Sequence, residues 1–99
     1  MAGLYLRSGG AGETTYLLLH GLGATGEVWG GLADLIDRNK AGRWLVPDFR
    51  GHGRSPWERP YTYGSLMGDL IPLINEASRL VVIGHSMGGV VGLMLGGAL

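Results

Sequence analysis

A serine between glycines is the residue in this chain best placed to do chemistry. The apolar residues 80–83 lead into Gly84-His85-Ser86-Met87-Gly88, and a helical pattern follows. This order is typical of a nucleophile elbow, in which a strained turn lifts the serine Oγ out of a sheet. Glycines have no Cβ and let strand and helix approach closely, and the helix N-terminus favours developing negative charge. The pattern therefore predicts nucleophilic attack by Ser86.

Two further loops carry polar residues directly after an apolar run. Residues 20–23 are His-Gly-Leu-Gly, and residues 48–55 are Asp-Phe-Arg-Gly-His-Gly-Arg-Ser. Strand and helix patterns alternate along the chain, which predicts parallel strands joined by right-handed crossovers. Ligands of such sheets bind at the carboxyl ends of the strands. We therefore expect these two loops and the elbow to meet at one edge of the sheet and to form one site.

Hydrophobic periodicity and turn residues predict four strands. They are expected at residues 4–7, 14–19, 44–49 and 80–83. The glycine-rich residues 9–12 predict a turn that makes the first strand an antiparallel hairpin partner of the second. The continuous apolar run in the second strand indicates burial on both faces. Pro47 cannot donate to a ladder and fits only near the end of the third strand.

Three helices are expected between and after these strands. The first covers residues 26–39 with Thr25 as N-cap and Gly42 as stop. Its apolar residues share one face: Val28, Trp29, Leu32, Leu35 and Ile36. The second, over residues 66–74, contains Pro72, which predicts a kink or a break. The third runs from Met87 to Leu99. Four large side chains are expected in the core: Trp29, Trp44, Met67 and Met94.

The composition excludes several classes of function. Ninety-nine residues with 8 basic and 8 acidic side chains make one small domain without the charge of a nucleic-acid binder. The chain has no cysteine, no cluster with metal-ligand spacing and no glycine-rich phosphate loop, so we expect neither a metal nor a cofactor. No secretory signal is visible at the N-terminus, which makes the cytoplasm the default location.

A membrane span is the alternative interpretation of residues 80–99. This stretch is apolar apart from His85 and Ser86, and Gly88, Gly92 and Gly96 form overlapping GxxxG patterns. The β-branched first half and the elbow in the middle argue against a single helix. We therefore expect membrane association to be absent.

Together the three motifs resemble the N-terminal half of an α/β-hydrolase. Residues 20–23 are similar to the family's HGxG loop, residues 48–55 to its D-x-R-G-x-G-x-S segment, and residues 84–89 to its elbow. The resemblance covers nearly the whole chain. It implies an α/β fold with a partial hydrolase sheet, in which the hairpin strand is followed by three parallel strands and their crossover helices.

Carried onto these positions, the resemblance implies roles for individual residues. Ser86 would be the nucleophile, and the backbone N–H groups of Leu22 and Met87 would form the oxyanion hole. The remaining polar motif residues would order the loops: His20, Gly21, Asp48, Arg50, His52 and His85. Asp48 and Arg50 are expected to form an ion pair. The alternatives are a serine that only satisfies a helix terminus and a histidine acting as general base. Trp57 and Tyr61 are candidates for lining a substrate mouth.

One departure from the family pattern concerns the catalytic partners of the serine. The family order is serine, then Asp or Glu, then His, but residues 87–99 contain none of these. We therefore expect residues 1–99 to be the N-terminal portion of a single α/β-hydrolase domain. Such a chain should be nearly inactive alone, because serine without a base is a weak nucleophile. The outer edge of its last strand should be exposed.

The resemblance implies a serine hydrolase as the whole protein. It would transfer an acyl group to water through an acyl-Ser86 intermediate, and its partner would be a small-molecule acyl substrate, either a carboxylic ester or a related compound. The sequence leaves open whether the bond cleaved is that of an ester, a lactone or a thioester, or a C–C bond. A binding module without catalysis, built on the same half-fold, is the alternative function.

Overall fold

Residues 3–98, which the computed structural model describes, form four strands and three α-helices. The strands are β1 (Leu6–Gly10), β2 (Thr14–Leu19), β3 (Arg43–Pro47) and β4 (Arg79–Gly84). The helices are α1 (Gly30–Arg38), α2 (Tyr63–Ile74) and α3 (Met87–Ala98), and a short 3-10 helix, Gly26–Trp29, precedes α1. Each predicted element is present, with bounds shifted by up to four residues, the largest shift being at the start of α1. Pro47 is the last residue of β3, as predicted.

The four strands form one mixed sheet in the order β1-β3-β2-β4. β2 pairs in parallel with both β3 and β4, which confirms the α/β class. The predicted hairpin is wrong, because β1 pairs antiparallel with β3, from Leu6 opposite Pro47 to Gly10 opposite Arg43. The physical reason is that both edges of β2 are occupied by parallel partners. β1 lies instead against the outer edge of β3, whereas the outer edge of β4 pairs with no strand among residues 3–98.

The central strand β2 is buried on both faces, as its apolar run predicted. Leu17 and Leu19 point to one face and Leu18 to the other, because successive strand residues alternate, and all three are 0% exposed. On the first face they pack against the apolar residues of α2 and α3: Leu66, Leu70, Ile74, Val91 and Leu95. On the second face Leu18 packs with Ile36 of α1. Two helical layers therefore hold β2, and the loop that follows it, in place.

The first helix differs from its prediction at both ends. Thr25 is the N-cap, as predicted, and accepts the N–H of Glu27, but it caps the 3-10 helix. α1 ends at Arg38, before Gly42, since Lys40 already has a left-handed φ of 49°. The predicted apolar face is wrong for Val28 and Leu35, which are 61% and 51% exposed. The 3-10 turn has three residues per turn, which puts Val28 out of phase with α1.

The second and third helices account for two further differences. α2 continues through Pro72 and ends two residues later, at Ile74, so the predicted break is absent. Pro72 lies in the last turn, where a single lost N–H donor interrupts little of the helix. In α3, Met94 is 37% exposed rather than a core residue. Residues 80–98 divide between β4 and α3, and within residues 3–98 no helix is long and apolar enough to cross a membrane.

Candidate active site

Ser86 occupies the turn between β4 and α3 with a left-handed backbone. Its φ is 55°, a conformation that L-residues other than Asn and Asp rarely adopt. The flanking glycines are required by packing, since a Cβ on Gly84 would collide with the Gly88 carbonyl and one on Gly88 with the Leu19 carbonyl. The Ser86 side chain is exposed. The local geometry predicted for a nucleophile elbow is therefore confirmed.

The loop after β2 packs directly on this elbow. The Ala24 N–H donates to the Gly21 carbonyl at 3.1 Å, which closes a tight turn with Gly23 at a φ of 78°, as in a type II turn. A Cβ on Gly21 would lie 3.1 Å from His85 Nδ1 and 3.3 Å from Ser86 Cβ. A side chain at position 21 would therefore require the neighbouring elbow atoms to move by a few tenths of an ångström. Leu22 is at the tip of the turn and is 77% exposed.

A cavity of about 520 Å³ lies beside the elbow. Leu22 and Met87 both line it, and so do the two aromatic residues predicted for a substrate mouth, Trp57 and Tyr61. Among residues 3–98, neither the Leu22 N–H nor the Met87 N–H donates to a protein acceptor. Ser86 itself lines a separate groove together with Val90 and Leu93 of α3. The elbow thus stands between the cavity and this groove, and two residues whose N–H groups have no protein acceptor in the described part of the chain line the cavity.

Two histidines join the loops that follow β2 and β3. His20 Nε2 accepts the Phe49 N–H at 3.0 Å, and His52 Nε2 accepts the Gly23 N–H at 3.0 Å. Since each Nε2 is an acceptor, each ring is neutral with its proton on Nδ1, which donates to the carbonyl of Gly21 or Arg50. The ring centroids are 5.0 Å apart. Each loop therefore supplies one histidine that accepts a backbone N–H of the other loop.

Burial favours the neutral form of His20. Its side chain is fully buried, and its ring packs at an interplanar angle of 70° to the Phe49 ring with a centroid distance of 5.0 Å. Desolvation lowers the pKa of His20 below its ordinary value of 6.5, and the hydrogen bond to the Gly21 carbonyl offsets only part of this effect. His20 is thus neutral at physiological pH, in agreement with its role as an acceptor for Phe49.

Asp48 organises the start of the loop after β3. Its fully buried carboxylate accepts Arg7 Nη1 and the Gly26 N–H, both at 2.7 Å, and the Arg54 N–H at 3.1 Å. Burial alone would raise the pKa of Asp48, but these three hydrogen bonds outweigh it and hold the pKa below its usual value. The Asp48 carbonyl also accepts the Ser55 hydroxyl, so the carboxylate and the carbonyl together close the loop.

The predicted ion pair between Asp48 and Arg50 is wrong. Asp48 pairs with Arg7 of β1, whereas Arg50 makes a bidentate pair with Asp69 of α2, with both N–O distances at 2.7 Å. The reason is the direction of the Arg50 side chain. It also donates to the carbonyl of Pro60, in the segment just before α2, and so points toward that helix. The Asp69 carboxylate raises the pKa of the Arg50 guanidinium. Neither Arg7 nor Asp69 lies in a motif, and no local signal in the sequence marks them.

His85 does not order a loop through its side chain as predicted. Within residues 3–98 its imidazole makes no hydrogen bond, and only its backbone links the elbow to the Leu19 carbonyl. No histidine of this region is hydrogen-bonded to Ser86 Oγ either. The same residues contain no group of three or more His, Asp or Glu that could hold a metal ion. The site therefore combines a turn-held serine with two N–H groups that have no protein acceptor among residues 3–98.

Comparison with known proteins places this arrangement in a family. Lipase LipV of Mycobacterium tuberculosis is 35% identical over 94 residues, which are 93% of this chain and 35% of the lipase. The sn-1-specific diacylglycerol lipase ABHD11 of Danio rerio is 34% identical over 87 residues, or 85% of this chain and 27% of the lipase. The solved structure of a marine microorganism esterase superposes with a TM-score of 0.83 and 31% identity, covering 97% of this chain and 37% of the esterase.

The match extends from the second strand to the end of the chain. The profile of the alpha/beta hydrolase family covers residues 16–99, which include all three motifs. The chain spans about a third of the length of the curated relatives it matches. The fold, the elbow and this match together show that the chain belongs to the α/β-hydrolase family.

Proposed function

We propose that the whole protein is a serine hydrolase that cleaves carboxylic esters or related small acyl compounds. The observation that carries this proposal is the left-handed Ser86 beside a cavity that Leu22 and Met87 line. The N–H groups of Leu22 and Met87, which have no protein acceptor among residues 3–98, would suit the donors of an oxyanion hole. The relatives named as a lipase and an esterase support the substrate class. Neither a metal nor a cofactor has a part in this reaction.

In the proposed reaction Ser86 Oγ attacks the carbonyl carbon of the substrate. Its proton passes to a general base, and the carbonyl oxygen becomes an oxyanion that the N–H groups of Leu22 and Met87 stabilise. The intermediate then expels the alcohol, which takes up the proton. Water attacks the acyl-Ser86 ester in the same way, releases the acid and returns the proton to Oγ. Removing one oxyanion donor typically costs about 10²–10³-fold in turnover.

We propose that the acid and the base of this mechanism come from the rest of a longer polypeptide. His20 and His52 are occupied as acceptors of backbone N–H groups, and no histidine of residues 3–98, His85 included, is hydrogen-bonded to Ser86 Oγ. The share of the relatives that this chain spans, about a third, supports residues 1–99 as the N-terminal portion of one domain. The cytoplasmic location remains a prediction of the sequence.

The full-length polypeptide encoded by the gene tests the proposal. A fluorophosphonate probe should label the protein and modify Ser86, as identified by peptide mass spectrometry. Ser86→Ala should abolish labelling, whereas Ser78→Ala, at an exposed serine without a hydrogen bond among residues 3–98, should label like the wild type. Absence of labelling in a folded wild type would show that the protein is not a serine hydrolase.

Residues 1–99 prepared alone provide a second test. We expect no Ser86-dependent release of p-nitrophenol from p-nitrophenyl acetate, because serine without a base is a weak nucleophile. A burst of p-nitrophenol that Ser86→Ala removes would contradict the assignment of the base to another part of the polypeptide.

An exposed face favours the second candidate, a binding module without catalysis. Within residues 3–98, β4 pairs only with β2, and Leu93 on the neighbouring helix is 81% exposed. A partner strand could cover this face. A reading frame that continues with an Asp or Glu and then a His would support the hydrolase. A gene that encodes only residues 1–99, with a partner protein bound at β4, would support the binding module.

A further inference from the structure

The turn that contains Leu22 is held by a side chain from the neighbouring loop. The Gly23 N–H donates to His52 Nε2 at 3.0 Å, across 29 positions of sequence. Gly23 is the third residue of the turn, and its positive φ sets the orientation of the peptide between Leu22 and Gly23. Rotation of this peptide would turn the Gly23 N–H away from His52. The hydrogen bond therefore fixes the turn, and with it the position of Leu22.

The His52 ring is itself held in one orientation. Its Nδ1 donates to the Arg50 carbonyl at 3.0 Å, which leaves Nε2 as the acceptor. Arg50 is anchored in turn by its bidentate contact with Asp69. A continuous series of polar contacts thus runs from α2 through Arg50 and His52 to Gly23. The residues of this series belong to the loops after β2 and β3 and to α2, so the position of the turn depends on all three segments.

We propose that His52 is a positioning residue for the oxyanion hole. It acts through the Gly23 N–H to hold Leu22 where its own N–H reaches the developing oxyanion, and it does not touch the reacting atoms. This inference rests on the proposed hydrolase function. His52 lines the same cavity as Leu22 and Met87, so the effect is exerted beside the reacting carbonyl.

The proposal predicts a specific kinetic signature. An oxyanion donor acts on charge that develops only in the transition state, so its displacement lowers kcat more than it changes KM. A trifluoromethyl ketone, whose adduct with serine carries an oxyanion, should lose affinity in parallel with kcat. Replacing a residue that only filled the cavity would instead alter KM, and the change in ketone affinity would not follow the change in kcat.

Two variants of the full-length polypeptide separate the acceptor from the bulk of the ring. His52→Leu removes the acceptor but keeps a side chain of similar volume. His52→Gln, in contrast, can place an amide oxygen near the position of Nε2. With p-nitrophenyl butyrate we expect His52→Leu to lower kcat by roughly 10- to 100-fold, less than full loss of a donor. KM should change little, and His52→Gln should recover most of the lost kcat. Equal kcat in both variants, or a change confined to KM, would overturn the proposal.

The hydrogen bond can also be measured directly in the wild type. An N–H···N contact transmits a scalar coupling between its two nitrogens, so a ¹⁵N-labelled protein should show coupling between Gly23 N and His52 Nε2. Absence of the coupling would overturn the proposal even if His52→Leu failed to fold. A wild type without Ser86-dependent turnover would overturn the proposed function and this inference together. An active wild type with an equally active His52→Leu would overturn the inference alone.

Discussion

His20 Nε2 lies 3.0 Å from the Phe49 nitrogen and joins the loop after β2 to the loop after β3. The contact is fully buried and depends on a neutral imidazole, because a protonated Nε2 carries a hydrogen where the Phe49 N–H must approach. The same ring also donates from Nδ1 to the Gly21 carbonyl, beside the elbow. The protonation state of this one residue therefore bears on the stability of the whole sheet edge.

The first prediction concerns pH. Because burial lowers the pKa of His20, the unfolded state binds more protons than the folded state once the pH falls below about 6.5. His20 thus contributes stability that is fully present above pH 6.5 and is lost as the pH decreases. Urea unfolding between pH 8 and pH 5 should show a steeper fall in the free energy of unfolding for the wild type than for His20→Gln. Equal slopes would contradict the prediction.

The second prediction compares two glycines of α3. A Cβ on Gly88 would collide with the Leu19 carbonyl, whereas one on Gly96 meets nothing within 4 Å. Gly88→Ala should destabilise the protein by about 1–3 kcal/mol or more, because backbone must move. Gly96→Ala should stabilise it by about 0.5–1 kcal/mol through helix propensity. Thermal and urea unfolding measure both, and a similar effect at the two positions would be inconsistent with the close contact of α3 and β2.

The third prediction tests the carboxylate of Asp48. Asp48→Asn weakens the contact with Arg7 and turns an amide N–H₂ toward a backbone donor, at a cost of about 2–4 kcal/mol. Asp34→Asn, at an exposed aspartate of α1, should change stability by less than about 0.5 kcal/mol. Urea unfolding at pH 7 provides the comparison. If both substitutions had the same small effect, the buried carboxylate would not organise the loop.

A fourth prediction sets function against stability at the elbow. Ser86 has a φ of 55°, which costs an L-residue about 1–2 kcal/mol and costs glycine little. Ser86→Gly should therefore raise the free energy of unfolding by about 0.5–1 kcal/mol while abolishing fluorophosphonate labelling. Ser78→Gly, at a residue without a positive φ, should lower it by up to about 1 kcal/mol. Equal destabilisation by both glycines would show that the turn stores no strain.

Local patterns predicted most of the elements and the turn that holds Ser86. β2 was predicted with its observed bounds, because a continuous apolar run between a glycine-rich turn and a His-Gly loop is a strong strand signal. The elbow was predictable for the same reason, since its glycines and its serine are all required within five consecutive positions. Parallel strands bring their carboxyl ends to one edge, so the meeting of the three loops followed from topology.

Contacts between distant segments could not be predicted in the same way. Arg7 and Asp48 are 41 positions apart, and Arg50 and Asp69 are 19 positions apart. Asp48 and Arg50 carry opposite charges two positions apart, which suggested an ion pair, but their side chains leave the loop in different directions. The pairing of β1 with β3 also could not be predicted locally, because it depended on both edges of β2 being occupied by parallel partners.

The amino-acid sequence by itself determined the strand-turn-helix around Ser86, the α/β class and the family, because each depends on residue types at short spacing. Only the tertiary structure decided which side chains hold the loops. It assigned Arg7 to Asp48, Asp69 to Arg50 and His52 to Gly23. These pairings depend on how the packed sheet orients each side chain. Direction in space, unlike residue type, is set only when the sheet and its helices come together.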